Sequence, residues 1–331
     1  IYANAAGFLL DKGRIADIRE MLIRAYQTDP MTPEVHYELA RYDHRVEAPL
    51  EERDALDNAQ EAFRLAEPLT PDRLWKQIDT DIRSGEYWYQ RDEILQATED
   101  LSRAQGRYDQ ALDAGFLEPT PELARVYARL GDIDYYQSGD LERALTRYNR
   151  AAADGYVPDD LNYKRGFIHY RWQEYDRAAE YFFDIGATND LAGPDNVLYA
   201  RGNTLFQRQN YFGAEAFYEE LLDRLQRRRD SIRTLLVAED PSHRALVENL
   251  IRVNNNLGVA MYRAALREDP QDPDLSQALN YLRESTELRE NYLRDDETGE
   301  RAAATPLAFL NIRDILNPTE QYDPQIFTDL P

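Results

Sequence analysis

The chain has 331 residues, of which 43% are hydrophobic and 11% aromatic, which is enough apolar material to build a folded core. Its formal net charge of -23 argues against nucleic acid and anionic lipid as partners, because both are bound through positive surfaces. The absence of cysteine excludes disulfides and thiolate sites, and no window of about 18 apolar residues predicts a membrane span.

The N-terminal third, residues 1–118, shows an apolar pattern with helical spacing and long connections. Small and apolar residues recur at helical intervals around Leu22, Ala40, Ala59 and Ala104. We therefore predict degenerate helix pairs in this part of the chain.

The most regular pattern lies in residues 119–292. Five residues of one segment are each followed, 36 positions later, by a residue of the same kind. The five are Tyr163, Gly166, Tyr175, Ala178 and Phe182, and their counterparts are Tyr199, Gly202, Tyr211, Ala214 and Tyr218. Glycine inside a helix costs about 1 kcal/mol relative to alanine, so its recurrence in register indicates packing. The pattern predicts helix pairs that cross closely, with Gly166 opposite Ala178 and Gly202 opposite Ala214.

A further unit within residues 119–292 carries insertions. It contains Leu257, Gly258, Ala278 and Leu282, and its glycine and alanine are 20 residues apart, where the regular units have 12. We predict insertions near residues 223–250 and 263–277. The first extends the preceding helix and is expected to break at Pro241.

Residues 293–331 differ from the repeats and predict a capping helix followed by an extended tail. Thr305 and Pro306 are typical of a helix start, and Leu307 and Leu310 begin an apolar stripe. We expect the segment after Asn317 to be extended and to pack against the last repeat. A protruding peptide that binds a partner is the alternative.

This spacing of small and aromatic residues resembles the tetratricopeptide repeat. The resemblance covers residues 8 to about 292 and implies an all-α, right-handed superhelical solenoid of about seven antiparallel helix pairs. The long insertions and divergent repeats are similar to those of structural subunits in bacterial envelope and motility machines, such as spirochaete flagellar collar proteins. The repeat itself marks architecture rather than a biochemical role.

The resemblance also implies where a partner would bind. In this superfamily, defined positions of the first helix of each pair face a concave groove. On this chain they give an aromatic surface with polar donors, made of Tyr163, Phe167, Tyr170, Arg171, Tyr199, Asn203, Phe206, Asn255, Tyr262 and Arg263. Such a mixture suits protein recognition. The alternative is a groove that is merely solvated or that receives the chain's own tail.

Some repeats of this family clamp a C-terminal carboxylate through lysine and asparagine side chains. Asn203 and Asn256 lie near the asparagine positions, but Tyr199 stands where the lysine should be. We therefore do not expect a clamp of that kind.

The sequence gives little support for catalysis. Its four histidines lack the spacing of a helical zinc site, and it contains neither a phosphate-binding glycine loop nor a Gly-x-Ser-x-Gly elbow. We predict no catalytic residue, no metal and no cofactor.

The leading hypothesis is a non-catalytic scaffold that binds a segment of a partner protein in its groove, within a larger bacterial assembly. One alternative is a peptide-capturing adaptor of a chaperone or secretion system, and another is an enzyme that uses the helical array as a cradle. Self-association is a further expectation. Because the chain begins at Ile1 rather than methionine, we expect an earlier segment. We favour the bacterial periplasm, with tethering through that segment, over the cytoplasm.

Overall fold

The computed structural model of the protein describes residues 2–15, 18–66, 70–186, 194–232, 240–292, 307–317 and 323–329. Within these ranges the chain is helical and contains no β-strand. It divides into two compact units, Ile1–Val157 and Pro158–Pro331. The domain limit that we predicted after residue 118 lies inside the first unit, between its sixth and seventh helices.

In the first unit, consecutive helices pack against each other in pairs. The helices are α1 Tyr2–Asp11, α2 Ile18–Thr28, α3 Pro33–Arg45, α4 Pro49–Leu65, α5 Pro71–Tyr89, α6 Ile94–Asp113, α7 Pro121–Ile133 and α8 Leu141–Ala153. Several begin with a proline in the first turn, where its missing N–H leaves no hydrogen bond unmade. Thr70 and Thr120 cap α5 and α7 by accepting a backbone N–H through their hydroxyl groups.

The second unit continues the same arrangement with three pairs and a final helix among the described residues. Its helices are α9 Asp159–Arg171, α10 Tyr175–Asp184, α11 Pro194–Gln207, α12 Tyr211–Ser231, α13 Pro241–Glu268, α14 Ser276–Tyr292 and α15 Leu307–Leu316. The long helix α12 ends at Ser231 and α13 begins at Pro241, within the first predicted insertion, and α13 ends at Glu268, within the second. Residues 233–239 and the predicted helix start at Thr305 and Pro306 lie outside the described residues.

Glycines in the first helix of a pair make room for an aromatic ring from the second helix. A Cβ atom added to Gly166 would lie 2.7 Å from Cε1 of Phe182, and one added to Gly202 would lie 2.5 Å from Cε1 of Tyr218. Both rings are fully buried. Ring atoms of the second helix are therefore the nearest atoms to a Cβ added at either position.

Similar contacts occur in the first unit, where the sequence pattern did not reveal them, with a leucine side chain in one pair and an aromatic ring in the other. Gly85 packs on Leu101, sixteen residues later, and Gly131 packs on Tyr148, seventeen residues later. The extra residue coincides with a π-helical turn over Asp134–Ser138, which lies between Gly131 and Tyr148. A π-helical turn accommodates one additional residue without breaking the helix, so the packing register is kept.

Among the described helices, none is both long enough and apolar enough to cross a membrane.

Candidate functional site

The second unit contains a groove in which the chain's own C-terminal segment lies. We call residues 323–329 the tail. Side chains from α11, α13 and α15 contact the tail, and Ile326 is buried to 5% exposure. The groove therefore holds an extended, non-helical segment.

One asparagine binds both main-chain groups of Phe327. Oδ1 of Asn256 accepts a hydrogen bond from the Phe327 N–H at 2.7 Å, and Nδ2 of Asn256 donates to the Phe327 carbonyl at 3.0 Å. A carboxamide offers one acceptor and two donors, so it can satisfy a residue as a neighbouring β-strand would. Through these hydrogen bonds Asn256 therefore binds the backbone of the tail, and they do not depend on which side chains the tail carries.

A second asparagine repeats this arrangement two residues earlier. Oδ1 of Asn311 accepts from the Gln325 N–H at 2.9 Å, and Nδ2 of Asn311 donates to the Gln325 carbonyl at 2.8 Å. Asn255 also donates to this carbonyl, at 3.1 Å, and accepts from Asn311. In an extended chain, alternate residues direct their N–H and C=O groups to the same side, which explains the spacing of two.

Neutral side chains complete the polar network around Phe327. Its carbonyl also accepts from the hydroxyl of Tyr199 and from Nδ2 of Asn203, each at 3.0 Å. Tyr218 donates to Oδ1 of Asn203 at 2.7 Å and fixes that amide. Burial raises the pKa of Tyr199, so its hydroxyl stays protonated and available as a donor at neutral pH.

Two hydrophobic side chains of the tail pack into the second unit. Ile326 belongs to a cluster that contains Val259 and Leu282 and is flanked by Phe206 and Tyr262. Phe327 is partly buried and packs against the larger cluster that contains Tyr199. Burying such side chains stabilises a complex by about 1.5–3 kcal/mol each.

The two ends of the tail make different contacts. Arg263 forms an ion pair with Asp323 at the start of the tail. Thr328 and Asp329, at the other end, line an open cavity of about 500 Å³, which we call the open cavity. Its other lining residues are Phe167, Tyr170, Arg171, Gln173, Tyr175 and Gln207.

The ten residues predicted for the groove all lie in the second unit. Tyr199, Asn203, Asn255 and Arg263 bind the tail through polar contacts. Phe206 and Tyr262 flank the Ile326 cluster, and Phe167, Tyr170 and Arg171 line the open cavity. Tyr163 packs on the ring of Phe182, at 5.6 Å between centroids, within the core beside the groove.

The prediction omitted two side chains that make central contacts, Asn256 and Asn311. A signal for Asn256 is present in the sequence, where Asn254, Asn255 and Asn256 occupy the middle of a helical pattern. Asparagine is an unfavourable residue there, and all three are buried. Two of the three, Asn255 and Asn256, contact the tail, whereas Asn254 donates to the carbonyl of Leu250 within its own helix.

The first unit carries a different polar surface, which we call the charged face. Asp79, on α5, is 1% exposed and accepts from Arg83 at 2.7 Å, Arg125 at 2.6 Å and Tyr37 at 2.9 Å. Burial opposes ionisation of Asp79, but Arg125 and Arg83 outweigh it and hold the pKa of the carboxyl below its usual value. These four side chains line a cavity of about 560 Å³.

Comparison with known proteins identifies the fold but gives no family by sequence. No protein-family model matches the chain. No curated protein matches it either.

Solved structures give matches at low sequence identity. PilF of Pseudomonas aeruginosa is 16% identical, with a TM-score of 0.51 over 66% of this chain and 88% of PilF. The C-terminal part of a TPR repeat-containing protein from Cytophaga hutchinsonii is 13% identical, with a TM-score of 0.47 over 85% of this chain and 99% of the other. PilW, a type IV pilus biogenesis factor, is 13% identical, with a TM-score of 0.47 over 80% and 96%.

These identities are informative about the fold alone. Together with the glycine and ring contacts of consecutive helix pairs, they confirm the predicted all-α architecture. The chain has the fold of tetratricopeptide-repeat proteins.

Proposed function

We propose that the protein is a non-catalytic scaffold whose second unit binds an extended segment of a partner protein in the groove. The observation that carries this proposal is the paired contact of Asn256 and Asn311 with the N–H and C=O groups of residues 327 and 325. Because these contacts involve only main-chain atoms, the groove is suited to any extended segment with compatible side chains. Side chains on helices α13 and α15 hold this geometry in place, which reduces the entropy lost on binding.

Two carboxylates of the charged face, Asp79 and Glu86, are suited to a structural role. An acid–base catalyst works best when its pKa is near the operating pH. Burial opposes ionisation of Asp79 and Glu86, yet the arginines beside them hold the pKa of both carboxyls below the usual value. Their charges are therefore locked in ion pairs, which suits structural support better than proton transfer.

Photocrosslinking in the native cell tests the groove as a partner site. A photoreactive p-benzoylphenylalanine replaces Phe167, which lines the open cavity, and in a control replaces Phe212, which is 52% exposed on α12 and outside the groove. We expect position 167 to crosslink to a single short stretch of a second protein, mapped by mass spectrometry, and position 212 not to do so. Identical products from the two positions, or only intrachain products at 167, would show that the groove is not the binding surface.

We further propose that the partner belongs to a bacterial envelope or motility assembly on the periplasmic side. The support is the resemblance of the long insertions and divergent repeats to those of such subunits. Fractionation of the native cell, with a periplasmic and a cytoplasmic marker protein, tests this location. Recovery with the cytoplasmic marker would contradict it.

The alternative function is that of an adaptor that captures free peptides. It is favoured by the main-chain contacts, which do not require a folded partner. An adaptor binds a soluble peptide as tightly as it binds the partner protein, whereas a scaffold subunit binds the folded partner more tightly. Comparison of the two affinities separates these functions.

A further inference from the structure

We propose that the partner's segment is an extended peptide that resembles the tail, with an acidic residue, an aliphatic–aromatic pair three positions later and a further carboxylate beyond the pair, and that it binds by displacing the tail. This inference rests on the proposed function. It adds the chemistry of the partner and the competition between the partner and residues 323–329.

The side-chain requirements follow from the contacts of the tail. Arg263 pairs with Asp323, so a carboxylate is favoured at the position that Asp323 occupies. Ile326 is enclosed by a cluster of aliphatic residues, which favours a branched aliphatic side chain there. Gln325 and Thr328 are exposed, so the groove places little restriction on those positions, whereas Asp329 lines the open cavity together with Arg171.

The open cavity adds a further requirement at the end of the groove. Tyr170 is 7% exposed, and the side chains of Asn203 and Gln207 interact with its hydroxyl. Arg171 is exposed on the same wall and forms no ion pair with another described residue.

The guanidinium of Arg171 favours a carboxylate at this position. Three aromatic rings, from Phe167, Tyr170 and Tyr175, supply the surrounding apolar wall. A segment with an acidic side chain beyond the aliphatic–aromatic pair would therefore gain contacts at this end of the groove.

Competition is unavoidable because the tail and the partner use the same main-chain donors and acceptors. Asn256 and Asn311 each bind one residue through both of its backbone groups, which leaves no room for a second strand at that position. A tethered segment has an effective concentration in the mM range, so it lowers the apparent affinity for a free peptide. Weakening the tail is expected to expose the full affinity of the groove.

Fluorescence anisotropy with the full chain tests this inference. The probe is a fluorescein-labelled peptide of sequence QYDPQIFTDEE, which repeats residues 321–329 and adds two glutamates. We expect the tail variant Ile326→Ser with Phe327→Ser to bind the probe at least about tenfold more tightly than the unmodified chain. The control Glu180→Gln, at an exposed position of α10 outside the groove, is expected to bind like the unmodified chain.

Two changes in the groove, each added to the tail variant, identify the site. Asn256→Ala is expected to abolish binding of the probe, because it removes both main-chain hydrogen bonds at one residue. Arg171→Glu is expected to weaken binding about tenfold, because it places a like charge opposite the glutamates. Equal binding by the Asn256→Ala variant would overturn the proposal.

Folding of each variant is checked by circular dichroism. If the double tail variant does not fold, Asp323→Asn weakens the tail at its ion pair with Arg263 alone and is expected to bind the probe more tightly than the unmodified chain. If a tail variant folds but does not bind the probe more tightly, the inference is contradicted. It is also contradicted if the unmodified chain dimerises by exchanging tails, because the groove then binds the tail of a second copy.

The two proposals fail in different ways. Crosslinking at position 167 together with no binding of the probe would keep the groove as a partner site and reject the peptide chemistry. Failure of both experiments would reject the groove as a binding surface.

Discussion

The charged face of the first unit and the tail groove of the second are built from the first helices of successive pairs, but they differ in chemistry. The charged face buries Asp79 among arginines from α5 and α7, and these charges satisfy each other. The groove uses neutral amides and hydroxyls, which are satisfied by the backbone of residues 325 and 327.

This difference shows how one fold produces two kinds of polar surface. In one, charged groups pair with each other, and in the other, neutral groups pair with a peptide backbone. Buried charges must be paired within the protein, because leaving one unpaired is far more costly than leaving an amide unpaired. Neutral amides bear a smaller desolvation cost and match the donor and acceptor of a peptide unit. The groove can therefore hold an extended segment without a charged partner at residues 325 and 327.

The largest expected effect is in the charged face. Asp79→Ala leaves Arg83 and Arg125 without their shared carboxylate, and we expect the free energy of unfolding to fall by about 3–5 kcal/mol. Asp72→Asn, at an exposed carboxylate on the same helix, is the control and is expected to have little effect. Urea unfolding followed by circular dichroism measures both.

The same ion pairs predict a dependence on pH. The pKa of Asp79 is lower in the folded state than in the unfolded chain, so its contribution is complete above about pH 4 and is lost as the pH falls further. We expect the difference between the unmodified chain and Asp79→Ala to shrink on acidification below that pH. A difference that stays constant would contradict the role of the ionised carboxylate.

The next largest effect concerns helix packing. Gly202→Ala places a Cβ 2.5 Å from Cε1 of Tyr218, a fully buried ring that cannot move freely, and we expect a loss of about 1–3 kcal/mol. Gly106→Ala, in the interior of α6, meets no atom within 4 Å and is expected to stabilise the protein by about 0.5–1 kcal/mol. If the two substitutions change the thermal stability in opposite directions, glycine within these helices is required for packing only where a ring lies on it.

The third effect distinguishes the loss of one groove contact from a general disturbance of helix α13. Asn256→Ala removes the acceptor of the Phe327 N–H, and we expect the exchange protection of that amide to fall at least about tenfold. Asn254→Ala removes a buried asparagine of the same helix whose amide bonds to Leu250, one turn earlier. We expect this control to leave Phe327 protected, as measured by hydrogen exchange. Equal loss in both variants would mean that α13 is disturbed as a whole.

The sequence allowed the helix pairs and much of the groove to be predicted because both depend on local spacing. Gly166 and Gly202 are unfavourable in helices unless a close contact requires them, so their recurrence reports on packing. Asn311 could not be predicted in this way, because it binds the main chain of Gln325. Main-chain atoms are the same in all residue types, so the sequence carries no pattern that marks this contact. Asp79 was missed because its partners Tyr37 and Arg125 are 42 and 46 residues away and belong to other helix pairs.

The smallest expected effect comes from charge on the second unit outside the groove. Burial, together with Glu219 and Glu268, raises the pKa of Glu215 to about 7, well above its value of about 4.3 in an unfolded chain. The folded state therefore binds more protons between these values, and its stability falls as the pH rises through this range. Glu215→Gln removes this dependence and is expected to stabilise the protein by about 1 kcal/mol at pH 8 and by almost nothing at pH 4, after allowance for solvent screening.

Thermal unfolding at the two pH values measures the difference, with Glu180→Gln, an exposed carboxylate on α10, as the control. An equal gain at both pH values would show that Glu215 acts through its size and not its charge. A gain confined to pH 8 would show that the second unit keeps an unpaired carboxylate outside the groove. The first unit instead buries Asp79 against Arg83 and Arg125, so the contrast between the two units would extend beyond their binding surfaces.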